Sequence, residues 1–268
     1  MANTRHWPAL LAISQRETVK FWHQRGRLLS ALVRPTLWLL VFAAGFQNIF
    51  GVSIIPPYDT YIEYQVYVVP GLLGMVLLFN GMQSSLAMVY DREMGLMRLL
   101  LIAPQPRWFL LFSKLVAGTV LSVLQAYAFL ALCVVFKVDI PWSGWLYALP
   151  PLILAGLMLG ALGLLLSVSI RQLENFAGTM NFVIFPMFFL STALYPLWKL
   201  QESGAAIVHT LAQLNPFTHA VEMIRFALYG QFNILSSLVV LGALMLFFLL
   251  AVWGYDPQRG MVKRARQA

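Results

Sequence analysis

Long apolar blocks separated by short polar connections are the dominant pattern along this chain. Six of these blocks have about 20 residues or more, the length of helix that crosses roughly 30 Å of hydrocarbon. A membrane-spanning helix is therefore predicted for each block, over residues 32–50, 66–90, 108–136, 145–170, 176–197 and 234–253. The pattern indicates an all-α membrane protein with one transmembrane domain, whose six-span bundle occupies residues 28–256.

Residues 1–27 show a different pattern, in which apolar and basic positions alternate at helical spacing. Aromatic and leucine side chains recur from Trp7 to Trp22, with Arg16 and Lys20 between them. A basic helix with an aromatic face lies in the headgroup plane rather than crossing it. We predict an amphipathic interfacial helix that either braces a soluble partner or anchors the chain to the lipid surface.

The segment between the fifth and sixth blocks is too polar to span a membrane, yet it is still mostly apolar. Pro196, Pro216 and Gly230 interrupt it, and residues 205–214 and 218–229 have helical patterns between these breaks. Half-helices that dip back toward the membrane are tolerated where protein or water satisfies the backbone. We predict a pair of short external half-helices here.

The connection between the second and third blocks combines charges with an apolar ridge. It predicts a short amphipathic helix, which is either a handle for a soluble protein or an ordinary interfacial loop. A proline after the ridge ends the helix, because proline lacks a backbone N–H. The residues of this pattern are Asp91, Arg92, Glu93, Leu99, Leu100, Leu101 and Pro104.

Composition supports a membrane protein and orients the bundle. The chain is 60% hydrophobic and 10% charged, with a mean hydropathy of +0.76, which excludes an ordinary soluble domain. With both termini inside, 15 of the 18 lysines and arginines lie on the inner side and 3 lie outside. The positive-inside rule therefore predicts cytoplasmic termini, including a basic tail at residues 257–268. The net charge of +8 suits an anionic inner leaflet, and no nucleic-acid partner is needed to explain it.

Motifs of catalytic chemistry are absent from the sequence. It has no G-x-x-x-x-G-K-[ST] phosphate loop, no H-E-x-x-H and no G-x-S-x-G. Cys133 is the only cysteine, and the histidines offer at most a His209–His219 pair, a pattern more often found at a polar surface than at a metal site. We predict no catalytic residue, bound cofactor or metal in this chain.

Two groups of side chains are candidate linings of a translocation path. One is a polar set in the second span, and the other is an aromatic set in the fifth. Either group can instead serve helix packing, because polar side chains in lipid commonly hydrogen-bond across helices. The residues are Asn80, Gln83, Ser84, Phe185, Phe188 and Phe189.

Two shorter patterns concern the outer rim and helix packing. Glu222 and Arg225 are three residues apart on a predicted half-helix, so they form either a local ion pair or an external gate. Gly156 and Gly160 have the small-xxx-small spacing that lets membrane helices approach closely.

Four stretches, in one order along the chain, resemble a known family. They are Arg34-Pro35, the run from Asp91 through Gly95-Leu-Met-Arg98 to Pro104, residues 186–197, and residues 214–230. Together they are similar to type 2 ABC transporter permeases, the exporter class whose ATPase is a separate subunit. The second stretch looks like the coupling helix of that family, although Leu96-Met97-Arg98 stands where Thr-Leu-Glu is common.

The resemblance implies a half-transporter. A second permease copy in a homodimer and two cytoplasmic ATPase subunits would complete it, and the ATPases would bind ATP and Mg²⁺. It also implies that charged residues of the coupling helix contact the ATPase, that leucines dock there, and that a glycine and a proline shape the element. These residues are Asp91, Arg92, Glu93 and Arg98, then Leu99, Leu100 and Leu101, then Gly95 and Pro104. The expected location is a bacterial inner membrane.

Two other classes are alternatives. An ion-coupled secondary transporter would bury ionisable residues near the bilayer midplane, whereas the span centres contain no aspartate or glutamate. A membrane-embedded enzyme would need a catalytic cluster at one face, which the sequence does not assemble. The nearly charge-free interior favours an exporter that moves an amphipathic, lipid-linked or hydrophobic substrate outward by alternating access.

Overall fold

The described part of the protein is all-helical. The computed structural model describes residues 11–12, 14–16, 19, 25–46, 56–93, 106–170 and 172–255, and those before position 20 are helical. Ten further helices follow in this part of the chain. They are α1 (Arg25–Phe46), α2 (Tyr64–Glu93), α3 (Arg107–Val135), α4 (Trp142–Tyr147), α5 (Leu149–Ser169), α6 (Leu173–Phe189), α7 (Leu197–Glu202), α8 (Ala206–Leu214), α9 (Pro216–Leu228) and α10 (Ile234–Gly254).

Four described stretches are long and apolar enough to cross a membrane. They are Tyr64–Asp91, Trp108–Val135, Trp142–Ser169 and Ile234–Gly254. These stretches correspond to the second, third, fourth and sixth predicted spans. Four of the six predicted spans thus coincide with described stretches that are long and apolar enough to cross a membrane.

The fourth predicted span is two helices rather than one. α4 ends at Tyr147, and α5 begins at Leu149 with prolines in its first turn. Because Pro150 and Pro151 have no N–H to donate to the preceding turn, the helix is interrupted there, while a new first turn tolerates them. The two helices still form one apolar stretch.

α1 differs from the first predicted span, residues 32–50, in its bounds. It begins at Arg25, inside the segment predicted to be interfacial, and ends at Phe46. Residues 47–50, where the prediction ended, lie outside the described residues.

The predicted end of the fifth span at residue 197 is wrong, because α6 ends at Phe189. The last carbonyls of α6 are satisfied from outside the helix. Asn215 donates from Nδ2 to the carbonyl oxygens of Met187, at 2.8 Å, and Leu190, at 2.6 Å. A side chain more than 20 residues further along the chain thus caps the helix, and residues 191–195 leave it as a turn.

Helices are present at both predicted positions, as α8 and α9, and α7 is an additional short helix that follows Pro196. Asn215 also begins α9, since its side-chain oxygen accepts from the backbone N–H of Phe217 at 3.0 Å. One side chain therefore caps the end of α6 and the start of α9. This double contact fixes the angle between the two helices.

α2 is the central helix of the bundle. Every residue from position 66 to position 82 is buried, and α2 packs against α1, α3, α5, α6 and α9. α10 lies at the outside, where it packs mainly on α5 and exposes most of its apolar side chains. A hydrophobic core that is continuous around α2 thus positions the other helices.

The contact between α2 and α5 depends on glycine. A Cβ atom at Gly81 would lie 3.1 Å from backbone atoms of Leu159 and Gly160, and one at Gly163 would lie 2.8 Å from the Gly81 carbonyl oxygen. At Gly156 a Cβ would already meet Thr119 of α3 at 3.0 Å. Close packing at the small-residue positions of α5 is confirmed.

Replacing Gly163 by alanine tests this approach. The added Cβ would lie 2.5 Å from the Ser85 hydroxyl oxygen as well as 2.8 Å from the Gly81 carbonyl, so α2 and α5 must move apart. We expect the free energy of unfolding to fall by about 1–3 kcal/mol, as in overpacked cores. Thermal unfolding in detergent measures the loss.

Gly242→Ala on α10 is the matched control. A Cβ at Gly242 meets no atom within 4 Å, and alanine favours helix over glycine. Its melting temperature should therefore equal or exceed that of the unaltered protein. Equal losses at the two glycines would contradict a close α2–α5 contact.

Candidate functional site

Two clusters of charged side chains lie near opposite ends of α2. Asp91 is in the last turn of α2. Near the other end of this helix, the guanidinium of Arg225, from α9, covers the ring of Tyr67, which lies in the first turns of α2. The 24 residues from Tyr67 to Asp91 span about 36 Å of helix, slightly more than the hydrocarbon thickness of a bilayer. We call these regions the Asp91 end and the Arg225 end.

Asp91 is the centre of the cluster at its end. Its side chain is 3% exposed, and Oδ2 lies 3.4 Å from Lys114 Nζ and 3.7 Å from Arg16 Nη2. Lys114 belongs to α3, and Arg16 to the helical residues near the N-terminus. One buried carboxylate therefore joins three segments of the chain. The family resemblance implies that Asp91 contacts a partner ATPase, and among the described residues Asp91 forms ion pairs within the chain.

Glu93, two residues later, contacts a fourth segment. Its Oε1 accepts a hydrogen bond from the backbone N–H of Leu173 at 3.1 Å, at the first residue of α6. The first N–H groups of a helix have no partner within the helix, and a carboxylate there also interacts favourably with the helix dipole. The start of α6 is thus attached to the end of α2.

The other residues predicted to contact an ATPase are not part of the described site. The Arg92 side chain is outside the described set, as are all of residues 94–105. The predicted residues in that segment are Gly95, Arg98, Leu99, Leu100, Leu101 and Pro104. The structure describes both flanks of the segment, because α2 ends at Glu93 and α3 follows Pro106.

Arg225 is the centre of the other cluster, and it is 2% exposed. Nη1 donates to Glu222 Oε1, Nη2 donates to the carbonyl oxygen of Thr192 at 2.7 Å, and the guanidinium lies 4.1 Å from the centre of the Tyr67 ring. Burial alone would lower the pKa of Arg225, but Glu222, Tyr67 and Tyr58 together outweigh it, so the pKa is raised and the charge is kept. The predicted local ion pair is confirmed.

The turn at residues 191–195 is attached to α2 by several further contacts. Tyr64 and Tyr67 donate from their hydroxyls to the carbonyl oxygens of Leu194, at 2.6 Å, and Thr192, at 3.0 Å. Gly71 allows the turn to come close, since a Cβ there would lie 2.5 Å from the Ala193 carbonyl oxygen. Sequence spacing cannot reveal these contacts, because the partners are more than 100 residues apart.

One polar residue in the middle of α2 connects this helix to α3. Asn80 is buried and donates from Nδ2 to Gln125 Oε1 of α3, a partner that the sequence reasoning missed. Gln83 and Ser84 are half-buried beside it on the helix. The structure therefore shows a packing role for Asn80 and leaves the two half-buried side chains nearer the surface.

The three predicted phenylalanines are separated by the fold. Phe188 is 1% exposed and packs in the core against Trp38 and Phe217, with ring centres 6.3 and 6.2 Å apart. Phe185 and Phe189 are exposed on the outer face of α6. Only the latter two are placed where they could meet a molecule outside this chain.

The outer face of α6 continues onto α1 through Trp38. The Trp38 ring contacts the Phe189 ring edge-on at 6.1 Å, and an open groove of about 470 Å³ runs beside it along α1. The groove is lined by Val33, Arg34, Leu37, Trp38 and Val41. We call the surface formed by these residues of α1 together with Phe185 and Phe189 of α6 the α1/α6 face.

His219, one of the two histidines predicted as a possible pair, contacts residues outside its own helix. His219 lies within hydrogen-bonding distance of the Gln213 carbonyl oxygen, at 3.0 Å, and of Ser236 Oγ, at 3.5 Å. Among the described residues, no group of three or more histidine, cysteine or acidic side chains is placed to hold a metal ion. His219 thus links α9 to the end of α8 and the start of α10.

Comparison with known proteins relates this chain to membrane transport proteins in each case. The sequence model of the ABC-2 type transporter family matches residues 8–229. The transport permease ycf38 of Cyanophora paradoxa is 29% identical over 213 residues, covering 78% of this chain and 70% of that protein. The inner membrane transport permease YadH of Escherichia coli K12 is 24% identical over 262 residues, covering 95% and 96%. The "Probable multidrug ABC transporter permease YbhR" of the same strain is 28% identical over 169 residues, covering 62% and 44%.

Asp91→Asn tests the cluster at the Asp91 end. The change removes the carboxylate that faces Lys114, whose side chain is 12% exposed, and we expect a loss of about 3 kcal/mol of stability. Glu93→Gln is the control, because Glu93 is exposed and an amide oxygen can still accept from Leu173. Thermal unfolding in detergent should show a lower melting temperature for Asp91→Asn alone. An unchanged melting temperature would mean that the ion pairs add no stability.

A double-mutant cycle tests the cluster at the Arg225 end. Glu222→Gln leaves a buried guanidinium without its counter-charge, so we expect a loss of about 3 kcal/mol. Arg225→Met should also destabilise, but the double variant should lose about 1–2 kcal/mol less than the sum of the single losses. Unfolding of the four proteins under one condition gives this coupling. Additive losses would contradict it.

Proposed function

This chain belongs to the ABC-2 type transporter family, and from that premise we propose that it is the permease subunit of an ATP-driven exporter. As an ABC transporter membrane subunit, it has a partner ATPase subunit. In our proposal two ATPase copies bind ATP and Mg²⁺ in the cytoplasm, and this chain binds no cofactor and catalyses no hydrolysis. Two permease copies form a homodimer in a bacterial inner membrane.

The observation that carries the proposal is the anchoring of the segment at residues 94–105 at both of its flanks. Before it, Asp91 pairs with α3 and Arg16, and Glu93 holds the start of α6. After it, α3 begins at once and carries Lys114 in its second turn. A displacement of the segment would therefore move α2, α3 and α6 together.

This anchoring suits a coupling helix. Closure of an ATPase dimer beneath the membrane would push the segment, and nucleotide would favour one of two packings of the helix bundle. Asp91 and Glu93 then act within the chain and transmit the motion to the helices. Direct contact with the ATPase falls to the leucine ridge, with Arg92 and Arg98 beside it. Gly95 and Pro104 shape the segment.

A six-span arrangement with both termini in the cytoplasm fits this role. α6 has 17 residues, which is the lower limit for crossing a bilayer, and α1, with 22 residues, is long enough to cross it. With α1 and α6 as spans, the Asp91 end is cytoplasmic, and the Arg225 end, with α8 and α9, is external. Glu222 and Arg225 then belong to an external closure of the path.

The α1/α6 face is our candidate for the dimer contact and the translocation path. It is apolar and exposed, with Phe185 and Phe189 on α6 and the open groove on α1. A path formed here by two copies would suit amphipathic, lipid-linked or hydrophobic molecules moving outward. The name of YbhR, which gives a multidrug substrate for that protein, is consistent with this class.

An ion-coupled secondary transporter is the second candidate, and the described helices argue against it. Acidic residues in the span candidates α1, α2, α3, α5, α6 and α10 occur only in terminal turns, at Asp91, Glu93 and Glu174. Proton- or sodium-coupled transport usually needs such groups near the bilayer centre. The exporter is therefore the better-supported function.

Charged substitutions in the leucine ridge test the proposal. The variant Leu99→Asp, Leu100→Asp, Leu101→Asp should abolish apolar docking, because each buried leucine contributes about 1.5–3 kcal/mol of transfer free energy. We expect this permease to raise the ATPase activity of its cognate subunit in nanodiscs, and the variant to lose that effect and the ability to co-purify with it.

Changing the same three leucines to methionine is the control, since methionine keeps apolar volume and should preserve coupling. Melting temperatures of the permease alone should be similar for both variants, so that unfolding does not explain the loss. If the aspartate variant stimulated ATPase activity normally, or if the permease never bound an ATPase, the exporter proposal would be wrong.

A further inference from the structure

Arg34 is an arginine inside the apolar part of α1, and its charge has no carboxylate partner in the described structure. It lies within Leu32–Val41, and its guanidinium stacks on the Phe79 ring of α2, 3.7 Å from the ring centre. The ion pairs among described residues instead involve Arg16, Lys114 and Arg225. A cation in an apolar environment without a counter-charge is unfavourable, so Arg34 calls for an external anion.

The space around Arg34 can accept such an anion. Arg34 lines the open groove of about 470 Å³ on α1, beside the apolar side chains of Leu37, Trp38 and Val41. On its other side it lines a crevice of about 10 Å³, room for one water molecule, together with Asn80 and Gln83. Arg34 therefore stands between an apolar groove and a small crevice that contains two amide side chains.

We propose that Arg34 binds the anionic headgroup of an acidic amphiphile whose hydrocarbon chain lies along Leu37, Trp38 and Val41. The Phe79 ring covers one face of the guanidinium and holds its plane, which leaves the N–H edges for a phosphate or carboxylate in that plane. The amide of Gln83 and one water in the crevice complete a polar wall beside the headgroup. The apolar lining of the groove suits an acyl chain and not a hydrophilic anion.

The assignment of this amphiphile as exported cargo rests on the proposed function, whereas its binding does not. It narrows the substrate class from amphipathic molecules in general to those with a negative headgroup. Positively charged hydrophobic drugs would be disfavoured, because they would meet the Arg34 charge at the apolar groove.

Trp38 provides a direct readout of the groove. The permease alone is placed in phosphatidylcholine nanodiscs and titrated with phosphatidylglycerol that carries bromine on its acyl chains, which quenches nearby tryptophan. Brominated phosphatidylcholine is the headgroup comparison, and the Trp38→Phe variant identifies the share of quenching that comes from the groove. We expect quenching of Trp38 to reach half of its maximum at about tenfold lower content of brominated phosphatidylglycerol than of brominated phosphatidylcholine. A tenfold difference is the effect of one charge-assisted contact.

Arg34→Gln should remove this preference, and Arg34→Lys should keep only part of it, because an ammonium keeps the charge but lacks the planar N–H edges. Lys137→Asn is the matched control, because it removes an exposed positive charge at a turn where the left-handed backbone, with φ of 58°, also suits asparagine. It should bind both lipids like the unaltered protein. If Arg34→Gln fails to fold, the comparison of the two lipids on the unaltered protein and on Arg34→Lys still decides the outcome.

Equal quenching of Trp38 by the two lipids in the unaltered protein would overturn the proposal, as would an anionic preference that survives Arg34→Gln. A separate arm adds the ATPase and follows ATP-dependent outward movement of a fluorescent phosphatidylglycerol, which Arg34→Gln should slow about tenfold. Binding without transport would overturn the cargo assignment and retain the anion site. Failure of the ATPase to associate at all would instead refute the proposed function, which the binding arm does not test.

Discussion

The close contact of α2 with the helices around it is the constraint on which the rest of the structure depends. Glycine at positions 81 and 163 lets the backbones of α2 and α5 approach to a distance that any side chain would prevent. Lipid offers helices no hydrophobic reason to associate, so packing and interhelical hydrogen bonds must hold the bundle together. Polar side chains reach their partners only at such distances. The Asn80–Gln125 hydrogen bond and the Asp91–Lys114 ion pair therefore depend on how closely α2 is surrounded.

α6 is the helix whose position both ends of the bundle control. Its first N–H is held by Glu93 at the Asp91 end, and its last carbonyls are held by Asn215 near the Arg225 end. The turn that follows is attached to α2 by Tyr64, Tyr67 and Arg225. A movement that begins at residues 94–105 can thus reach the opposite end through α2 and α6, two rigid elements with discrete contacts at each end. The proposed coupling therefore has a physical route through two helices and does not require a long chain of weak interactions.

Local patterns predicted the features of this fold that depend on neighbouring residues. Four span-length stretches follow from apolar runs, α8 and α9 follow from the breaks at Pro196 and Pro216, and the Glu222–Arg225 pair follows from its spacing. The predicted end of α6 was wrong because the residue that caps this helix, Asn215, lies far along the chain at the start of α9. For the same reason sequence spacing did not reveal that Thr192 and Tyr67 complete the Arg225 cluster. Asp91 was recognised as important, but its internal partners on α3 and near the N-terminus required the folded structure.

The distribution of charge distinguishes Arg34 from Lys114 and Arg225. Lys114 and Arg225 each face a carboxylate, and these pairs hold helices together at the two ends. Arg34 faces an aromatic ring, a cation–π contact of about 0.5–2 kcal/mol, which offsets only part of the desolvation of a guanidinium in an apolar setting. An internal carboxylate could satisfy it, as Glu222 satisfies Arg225, but it would also occupy the site permanently. Leaving the counter-charge to a ligand makes the stability of this region depend on what the groove contains, which is the property that a selective site requires.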